Sequence, residues 1–224
     1  MSRQQRQRAE KIALLLEETY GVPKVDRKVN VLDELILTLL SHNPNDVNRD
    51  KGYAELRRRY PTWEKVRSAP REKIENAIRV AGLAPAKSGY IKETLHFITE
   101  NWGSLDIDWI CDKDPDWVES TFTQVRGIGI KTINVVLSFA CKADRFPVDT
   151  HINRICARLG FVPEETPPEK TYKLMSEIFP KGKGFSFHIN IITHGRQTCK
   201  ARNPLCDRCN LKRFCRYYKN LSVR

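Results

Sequence analysis

Apolar residues recur along most of the chain with the spacing of an α-helix rather than that of a strand. In residues 6–20, Ile12, Leu15 and Leu16 fall on one face, which predicts an amphipathic helix. In residues 31–41 nearly every position is apolar, which predicts a helix buried on most sides. Alternation of apolar and polar residues is nowhere sustained, so we expect an all-α protein.

Prolines and glycines divide the remaining sequence into further short helices. Pro61, Pro70 and Gly82 stand between helix-like segments, as residues that end helices do. The further helices predicted are 50–59, 63–68, 71–80, 85–102, 115–122, 150–159, 168–178 and 185–198. An apolar, helix-like run also follows Gly129.

The composition is that of an ordinary folded protein. The chain has 224 residues, of which 40% are hydrophobic and 29% charged, so disorder is not the default. No apolar run approaches the roughly 18 residues needed to span a bilayer. The charged start of the sequence lacks the apolar core of a signal peptide. These features predict a cytosolic protein without a membrane contact.

The net charge indicates a class of partner. It is +12, and residues 196–219 contain eight basic residues and one acidic residue, Asp207. A concentrated basic patch suits a polyanion, because each phosphate that is neutralised releases counterions. A solubilising charged tail is the alternative that charge alone leaves open.

The segment 125–149 carries a distinctive set of residues. Gly127 and Gly129 flank one isoleucine, and this spacing allows unusual backbone angles and the close approach of another backbone. Lys131 falls in the first turn of the next helix, where the helix dipole disfavours a cation and favours a phosphate. Asp149 stands before another helix. The pair is a candidate site, against the alternatives of a solvated lysine and an aspartate that only caps a helix.

Three of the seven cysteines are isolated in the sequence: Cys111, Cys141 and Cys156. We interpret them as buried structural thiols. An odd number of cysteines in a chain without a secretion signal also argues against a disulfide framework.

The other four cysteines have the spacing C-x6-C-x2-C-x5-C and are Cys199, Cys206, Cys209 and Cys215. Four thiols so close together usually hold a metal. Only one C-x2-C pair is present, which favours a four-iron cluster over zinc. Zinc and a coincidental group of thiols remain alternatives at this point. Four thiolates would leave no open iron position, so the group would serve structure or electron transfer.

Three motifs together resemble one family, the endonuclease III branch of the helix-hairpin-helix (HhH-GPD) DNA glycosylases. They are the hairpin VRGIGIKT at 125–132, the sequence VDTH at 148–151, and the four-cysteine spacing. The resemblance extends over residues 31–215. Each motif alone is weak evidence, but their order and spacing are highly specific.

The resemblance implies two all-α domains with DNA bound in the cleft between them. Residues 25–142 would form a six-helix barrel that ends in the helix-hairpin-helix. Residues 1–24 would pack with 143–224 and carry a 4Fe–4S cluster, held by the four cysteines of the loop 199–215. Lys131 and Asp149 would face each other across the cleft.

The resemblance also implies a bifunctional DNA glycosylase and apurinic/apyrimidinic (AP) lyase of base excision repair that acts on oxidised pyrimidines. Lys131 would attack the anomeric carbon, expel the base and form a Schiff base from which β-elimination follows. The amine must be neutral, and at an ordinary lysine pKa only about 0.04% is neutral at pH 7. Asp149 would stabilise the developing cation and deprotonate the amine.

The partner implied is double-stranded DNA that contains damaged bases or abasic sites, bound by a monomer. Removing a nucleotide from the stack leaves a gap, which Asn43 and Leu83 would fill. The remaining DNA contacts would come from the hairpin and the cluster loop, through Gly127, Gly129, Thr132, Lys200 and Arg202. In a prokaryote the protein would work in the cytoplasm, at the nucleoid.

The sequence departs from the family pattern at four positions. His42 and Asn43 replace the usual alanine and glutamine, Arg126 replaces a proline, and Ile130 replaces a basic or polar residue. These changes leave the choice of base open. Two alternatives therefore stand: a glycosylase for mismatched or alkylated bases, and a non-catalytic DNA-binding iron–sulfur module. His151 and His194 are interpreted as structural histidines.

Overall fold

The computed structural model describes residues 3–24, 29–41 and 46–221. Helices account for all the regular structure in these residues, which include no strand, so the prediction of an all-α protein is confirmed. None of the helices is both long and apolar enough to cross a membrane. The chain divides into two compact units. We call Arg27–Ala143 the central unit, and Met1–Asp26 together with Asp144–Arg224 the flanking unit.

The described residues form twelve α-helices. In chain order they are α1 (Arg3–Tyr20), α2 (Val31–Leu40), α3 (Asp46–Arg59), α4 (Trp63–Ser68), α5 (Arg71–Ile78), α6 (Ala84–Trp102), α7 (Pro115–Phe122), α8 (Ile130–Phe139), α9 (Thr150–Leu159), α10 (Pro168–Ser176), α11 (Gly184–Gln197) and α12 (Arg216–Leu221). The predicted bounds of α4, α7 and α9 are confirmed. The prediction for α3 starts four residues late, at 50 instead of Asp46.

The core of the central unit is built around α2, as the apolar run at 31–41 predicts. Asn30 caps this helix, and its side chain accepts hydrogen bonds from the amides of Leu32 and Asp33. Leu32, Leu35, Ile36 and Leu39 are fully buried, and α2 packs on α3, α6 and α8. In this way the central helix fixes the position of α8, which carries Lys131.

The flanking unit is held by α11, which packs against both α1 and α9. Phe187 of α11 stacks on Phe146, with ring centroids 5.0 Å apart. The side-chain amide of Asn190 donates a hydrogen bond to the carbonyl of Gly21, which ties the end of α1 to α11. The cluster loop follows α11 and leads into α12, which packs on α9.

One interpretation of the cysteines is wrong. Cys111 and Cys141 are joined by a disulfide in the central unit, although the sequence predicted two separate thiols and argued against disulfides. Cys111 lies in a 3-10 turn, Asp108–Asp112, and Cys141 follows α8. Packing brings together two segments 30 residues apart, which spacing alone does not indicate. The third thiol, Cys156, is buried and free, as predicted.

Candidate functional site

The turn between α7 and α8 requires a glycine at position 127 but not at 129. Gly127 has φ +89°, and a Cβ atom there would lie 2.4 Å from Cγ of Tyr90. Gly129 has φ −95° and ψ 173°, an extended conformation that any residue adopts. Nothing lies within 4 Å of a Cβ built on Gly129. The prediction of special backbone angles is therefore confirmed for Gly127 and wrong for Gly129, which instead leaves open space at the surface.

Lys131 is the second residue of α8, in the first turn as predicted. Gly129 precedes this helix and supplies no side-chain cap, whereas side chains cap α2, α7 and α9. The first-turn amides of a helix have no partner within the helix, so an acceptor such as a phosphate suits this end. Lys131 itself is half-buried. Thr132 is only 2% exposed, and its contact with DNA stays a prediction.

Asn134 joins the two helices of the hairpin, a role that the sequence analysis missed. It is fully buried, and its Nδ2 donates to Oε2 of Glu119 at 2.6 Å and to the carbonyl of Ile130 at 2.9 Å. Glu119 lies in α7, so this amide ties α7 to the first turn of α8 beside Lys131. The available signal was a lone amide within an apolar helix, since buried polar groups are hydrogen-bonded.

Of the two residues predicted to fill a gap in DNA, the structure describes only Leu83. Leu83 immediately precedes α6 in a left-handed conformation, with φ 53° and ψ 29°. Leu83 is 55% exposed. Asn43, with the rest of 42–45, lies outside the described residues.

Asp149 is the N-cap of α9 in the flanking unit. Its Oδ1 accepts a hydrogen bond from the amide of Ile152 at 2.8 Å, so the capping role considered from the sequence is real. A carboxylate has a second oxygen with its own lone pairs, so capping does not preclude a chemical role. Nearby, burial lowers the pKa of His151, and its Nδ1 lies 3.2 Å from Nη2 of Arg154. This pairing fits the prediction of a structural histidine.

The four C-terminal cysteines line one cavity in the flanking unit. Its other walls include Arg158, Leu205 and Tyr217. Among the described residues, no three His, Cys, Asp or Glu side chains converge as ligands of a single metal ion. Thiols set around a cavity suit a polynuclear cluster, in which each thiolate binds a different iron atom.

Nitrogen atoms approach three of the four sulfurs. Nη1 of Arg158 lies 3.3 Å from Sγ of Cys199, and the amide of Tyr218 lies 3.5 Å from Sγ of Cys215. Nε2 of His194 lies 3.6 Å from Sγ of Cys209. Donors aimed at cysteine sulfurs are the usual surroundings of an iron–sulfur cluster and tune its potential. The residues present therefore fit such a cluster.

Burial shapes the chemistry of these thiols and of the histidine beside them. Burial raises the pKa of Cys209 to about 11, and it lowers the pKa of His194 to about 4. His194 is thus neutral, and the hydroxyl of Tyr20 lies 3.0 Å from its Nδ1. The prediction of a satisfied structural histidine is confirmed, but the contact with Cys209 was not foreseen. A metal centre must displace the thiol protons, as metal binding to cysteine generally does.

Arg158 also holds the loop that carries the predicted DNA-binding residues Lys200 and Arg202. Its Nη1 donates to the carbonyl of Lys200 at 2.7 Å, and its Nη2 to the carbonyl of Ala201 at 2.9 Å. Both basic side chains are exposed. One arginine therefore fixes the backbone of the loop and approaches a cluster ligand. Its only signal in the sequence is a basic residue at the end of a helix.

Comparison with known proteins assigns these features to one family. The profile described as HhH-GPD superfamily base excision DNA repair protein matches residues 36–181. The profile described as the iron–sulfur binding domain of endonuclease III matches residues 199–215. The chain belongs to the endonuclease III branch of the HhH-GPD superfamily and carries a 4Fe–4S cluster.

Curated relatives and solved structures agree with this assignment. Endonuclease III of Sulfolobus acidocaldarius is 34% identical over 191 residues, which are 84% of this chain and 83% of that protein. Endonuclease III of Thermotoga maritima is 30% identical over 88% of each chain. The structure of a trapped endonuclease III–DNA covalent intermediate has a TM-score of 0.83 and 27% identity, covering 98% of this chain and 99% of that one. The protein is accordingly a bifunctional DNA glycosylase and AP lyase of base excision repair, with DNA as its partner.

Proposed function

We propose that this enzyme excises oxidised pyrimidines from duplex DNA and that Lys131 is its nucleophile. The observation that carries the proposal is the place of Lys131, in the first turn of α8 directly after the Gly127–Gly129 turn. A related endonuclease III was trapped as a covalent intermediate with DNA, which supports an enzyme nucleophile in this branch. An amine nucleophile explains how glycosylase and lyase chemistry occur at one site.

In the proposed reaction, the neutral amine of Lys131 forms a bond to C1′ of the damaged nucleotide. The glycosidic bond breaks, and its electron pair leaves with the base. Opening of the sugar ring then gives an iminium between Lys131 and C1′. Loss of a proton from C2′ breaks the bond from C3′ to its phosphate, and hydrolysis of the imine frees the enzyme.

Asp149 would act on the same sugar by stabilising the developing positive charge and taking a proton from the amine. Lys131 belongs to the central unit and Asp149 to the flanking unit. Asp149 can perform this role while one of its oxygens caps α9.

The start of α8 favours the reactive form of Lys131. The helix dipole places partial positive charge at this end, which destabilises an ammonium more than a neutral amine. Lowering a lysine pKa to ~7–8 makes a tenth or more of the amine neutral at pH 7. The same helix end, with the open space above Gly129, suits a DNA phosphate.

The 4Fe–4S cluster supplies structure, since four thiolates occupy its iron positions. It would hold the loop between Cys199 and Cys206, which presents Lys200 and Arg202 to the DNA backbone. Leu83, exposed at the turn before α6, would enter the gap left by the flipped nucleotide, with Asn43 on the opposite side. We propose that the protein acts as a monomer, at the nucleoid in a prokaryotic cell.

A panel of lesions tests the proposed substrate. Duplexes would carry thymine glycol, 5-hydroxycytosine, uracil opposite guanine, 3-methyladenine or 8-oxoguanine, and strand cleavage would be measured under single-turnover conditions. The proposal predicts the fastest cleavage with the two oxidised pyrimidines. Faster release of uracil or 3-methyladenine would support a mismatch or alkylation enzyme instead, and cleavage of none would support a non-catalytic DNA-binding module.

A further inference from the structure

Lys87 of α6 is a charged residue that is buried inside the central unit. It is 1% exposed, and burial lowers its pKa. Its Nζ donates hydrogen bonds to the carbonyl oxygens of Leu40 and Ala81, each at 2.7 Å. A buried ammonium is costly without partners. Here the partners are the last carbonyl of α2 and the last of the 3-10 turn Arg79–Ala81, where helix dipoles are negative.

The second of these carbonyls belongs to the turn that displays Leu83. Gly82 has φ 67° and Leu83 has φ 53°, and a left-handed conformation is strained for a leucine. The backbone amide of Lys87 donates to the carbonyl of Leu83 at 3.0 Å, while its Nζ holds the carbonyl of Ala81. The side chain of Lys87 therefore binds the turn just before the exposed leucine, at Ala81, while its amide makes the ordinary first backbone bond of α6.

Helix α3 also packs against this turn. A Cβ atom on Gly52 would lie 3.0 Å from Cβ of Ala81, so α3 packs closely under the turn. Packing on one side and hydrogen bonds on the other leave the leucine side chain projecting outward in a strained backbone. Strained residues that the surrounding structure holds in place often serve function.

We propose that Lys87 is a positioning residue that holds Leu83 ready to enter the DNA duplex. The inference rests on the proposed function, in which a nucleotide leaves the stack and Leu83 fills the gap. Unstacking a base step costs free energy. A leucine already fixed in its inserted conformation repays more of this cost than one that must be ordered on binding.

The same helix provides a matched control. Lys92 lies five residues further along α6, and its Nζ also donates to two backbone carbonyls, those of Arg67 and Ala69. These carbonyls lie at the end of α4, not at the Leu83 turn. Replacing either lysine with methionine removes an ammonium and two hydrogen bonds while keeping a similar side-chain length.

The test compares Lys87→Met, Lys92→Met, Leu83→Ala and the parent protein, each as the cluster-loaded full chain. Strand cleavage at an abasic site would be measured in duplex DNA and in single-stranded DNA, which has no gap to fill. Lys87→Met and Leu83→Ala should cleave the duplex about tenfold more slowly, the loss expected when about 1.4 kcal/mol of transition-state stabilisation is removed. Lys87→Met should cleave the single strand at the parental rate, and Lys92→Met should match the parent on both substrates.

Thermal denaturation and the visible absorption of the cluster would show that each variant is folded. Should Lys87→Met not fold, Lys87→Gln, which can keep one of the hydrogen bonds, replaces it. Equal losses on duplex and single strand, or a duplex-specific loss in Lys92→Met as well, would overturn the inference. A parent protein that cleaves neither substrate would instead contradict the proposed function.

Discussion

Gly127 packs against the face of Tyr90, so closely that a Cβ atom at position 127 would lie 2.4 Å from Cγ of the ring. Tyr90 belongs to α6 and Gly127 to the turn between α7 and α8. The contact fixes the hairpin on the rest of the central unit. The guanidinium of Arg126 lies 5.8 Å from the centre of the same ring, so Tyr90 supports the turn at two adjacent residues.

Gly127→Ala should destabilise the central unit. The new methyl group must displace the aromatic ring, and alanine must adopt φ +89°. Overpacking typically costs about 1–3 kcal/mol, and the backbone strain adds of order 1–2 kcal/mol. Denaturant unfolding of the cluster-loaded protein measures this cost, and an unchanged midpoint would show that Tyr90 moves aside freely.

Gly129→Ala is the matched variant with the opposite expectation. Its backbone is extended and the space above it is open, so its stability should equal that of the parent within about 0.5 kcal/mol. Its affinity for duplex DNA should fall, because a methyl group would occupy the surface proposed to meet a phosphate. Fluorescence anisotropy with an abasic-analogue duplex measures the affinity, and parental binding would remove Gly129 from the interface.

Reduction of the Cys111–Cys141 disulfide should lower the stability of the central unit. The bond closes a loop with a sequence separation of 30 residues, and this loop contains α7, the hairpin and α8. Chain-entropy estimates for such a loop give about 3–4 kcal/mol. Cys111→Ser should show the same loss and no further response to reductant.

Counting thiols shows whether this disulfide is present. After denaturation and chelation without reductant, an alkylating reagent should modify the five cysteines that are free in the structure. Reduction should raise the number to the seven of the sequence. Modification of all seven before reduction would contradict the disulfide.

Much of this architecture could be predicted from the sequence because its signals are local. The helices at 63–68, 115–122 and 150–159 have the predicted bounds, since Thr62, Asp114 and Asp149 cap their starts. The spacing of the four cysteines is also local, so the cluster site could be predicted from the sequence. The contacts that remained hidden are long-range.

Three of these long-range contacts show why. The Cys111–Cys141 bond, the hydrogen bond from Arg158 to the carbonyl of Lys200, and the hydrogen bond from Lys87 to the carbonyl of Leu40 all join segments that only packing brings together. The burial of Thr132 is a further example, since its hairpin motif does not indicate that the fold buries it. Arginine and lysine are seldom fully buried, so nothing in the sequence marked Lys87 as a core residue.

Asp149→Asn separates the capping role of this residue from its proposed chemistry. Asparagine caps helices as well as aspartate does, and its Oδ1 can still accept from the amide of Ile152. The melting temperature should therefore stay near that of the parent. Base excision should slow by about 10²–10⁴-fold, the usual contribution of acid–base catalysis. Excision at the parental rate would show that Asp149 only caps α9.

Lys200→Ala and Arg202→Ala should each change the salt dependence of DNA binding. Both side chains are exposed on the loop held by Arg158. Loss of one phosphate contact reduces the slope of log affinity against log salt by about 0.9. Lys73→Ala, on the exposed face of α5, is the control and should leave the slope unchanged. The parental slope in all three variants would exclude the loop from the DNA interface.

The central claim is that the amine of Lys131 bonds covalently to DNA, and borohydride trapping measures it most directly. An abasic or thymine glycol duplex incubated with the parent protein and borohydride should give a stable protein–DNA adduct, because reduction fixes the Schiff base. Lys131→Gln should bind the duplex yet form no adduct, and peptide mapping of the parental adduct should locate the sugar on Lys131. An adduct of undiminished yield in Lys131→Gln, or no adduct with either lesion, would contradict the account.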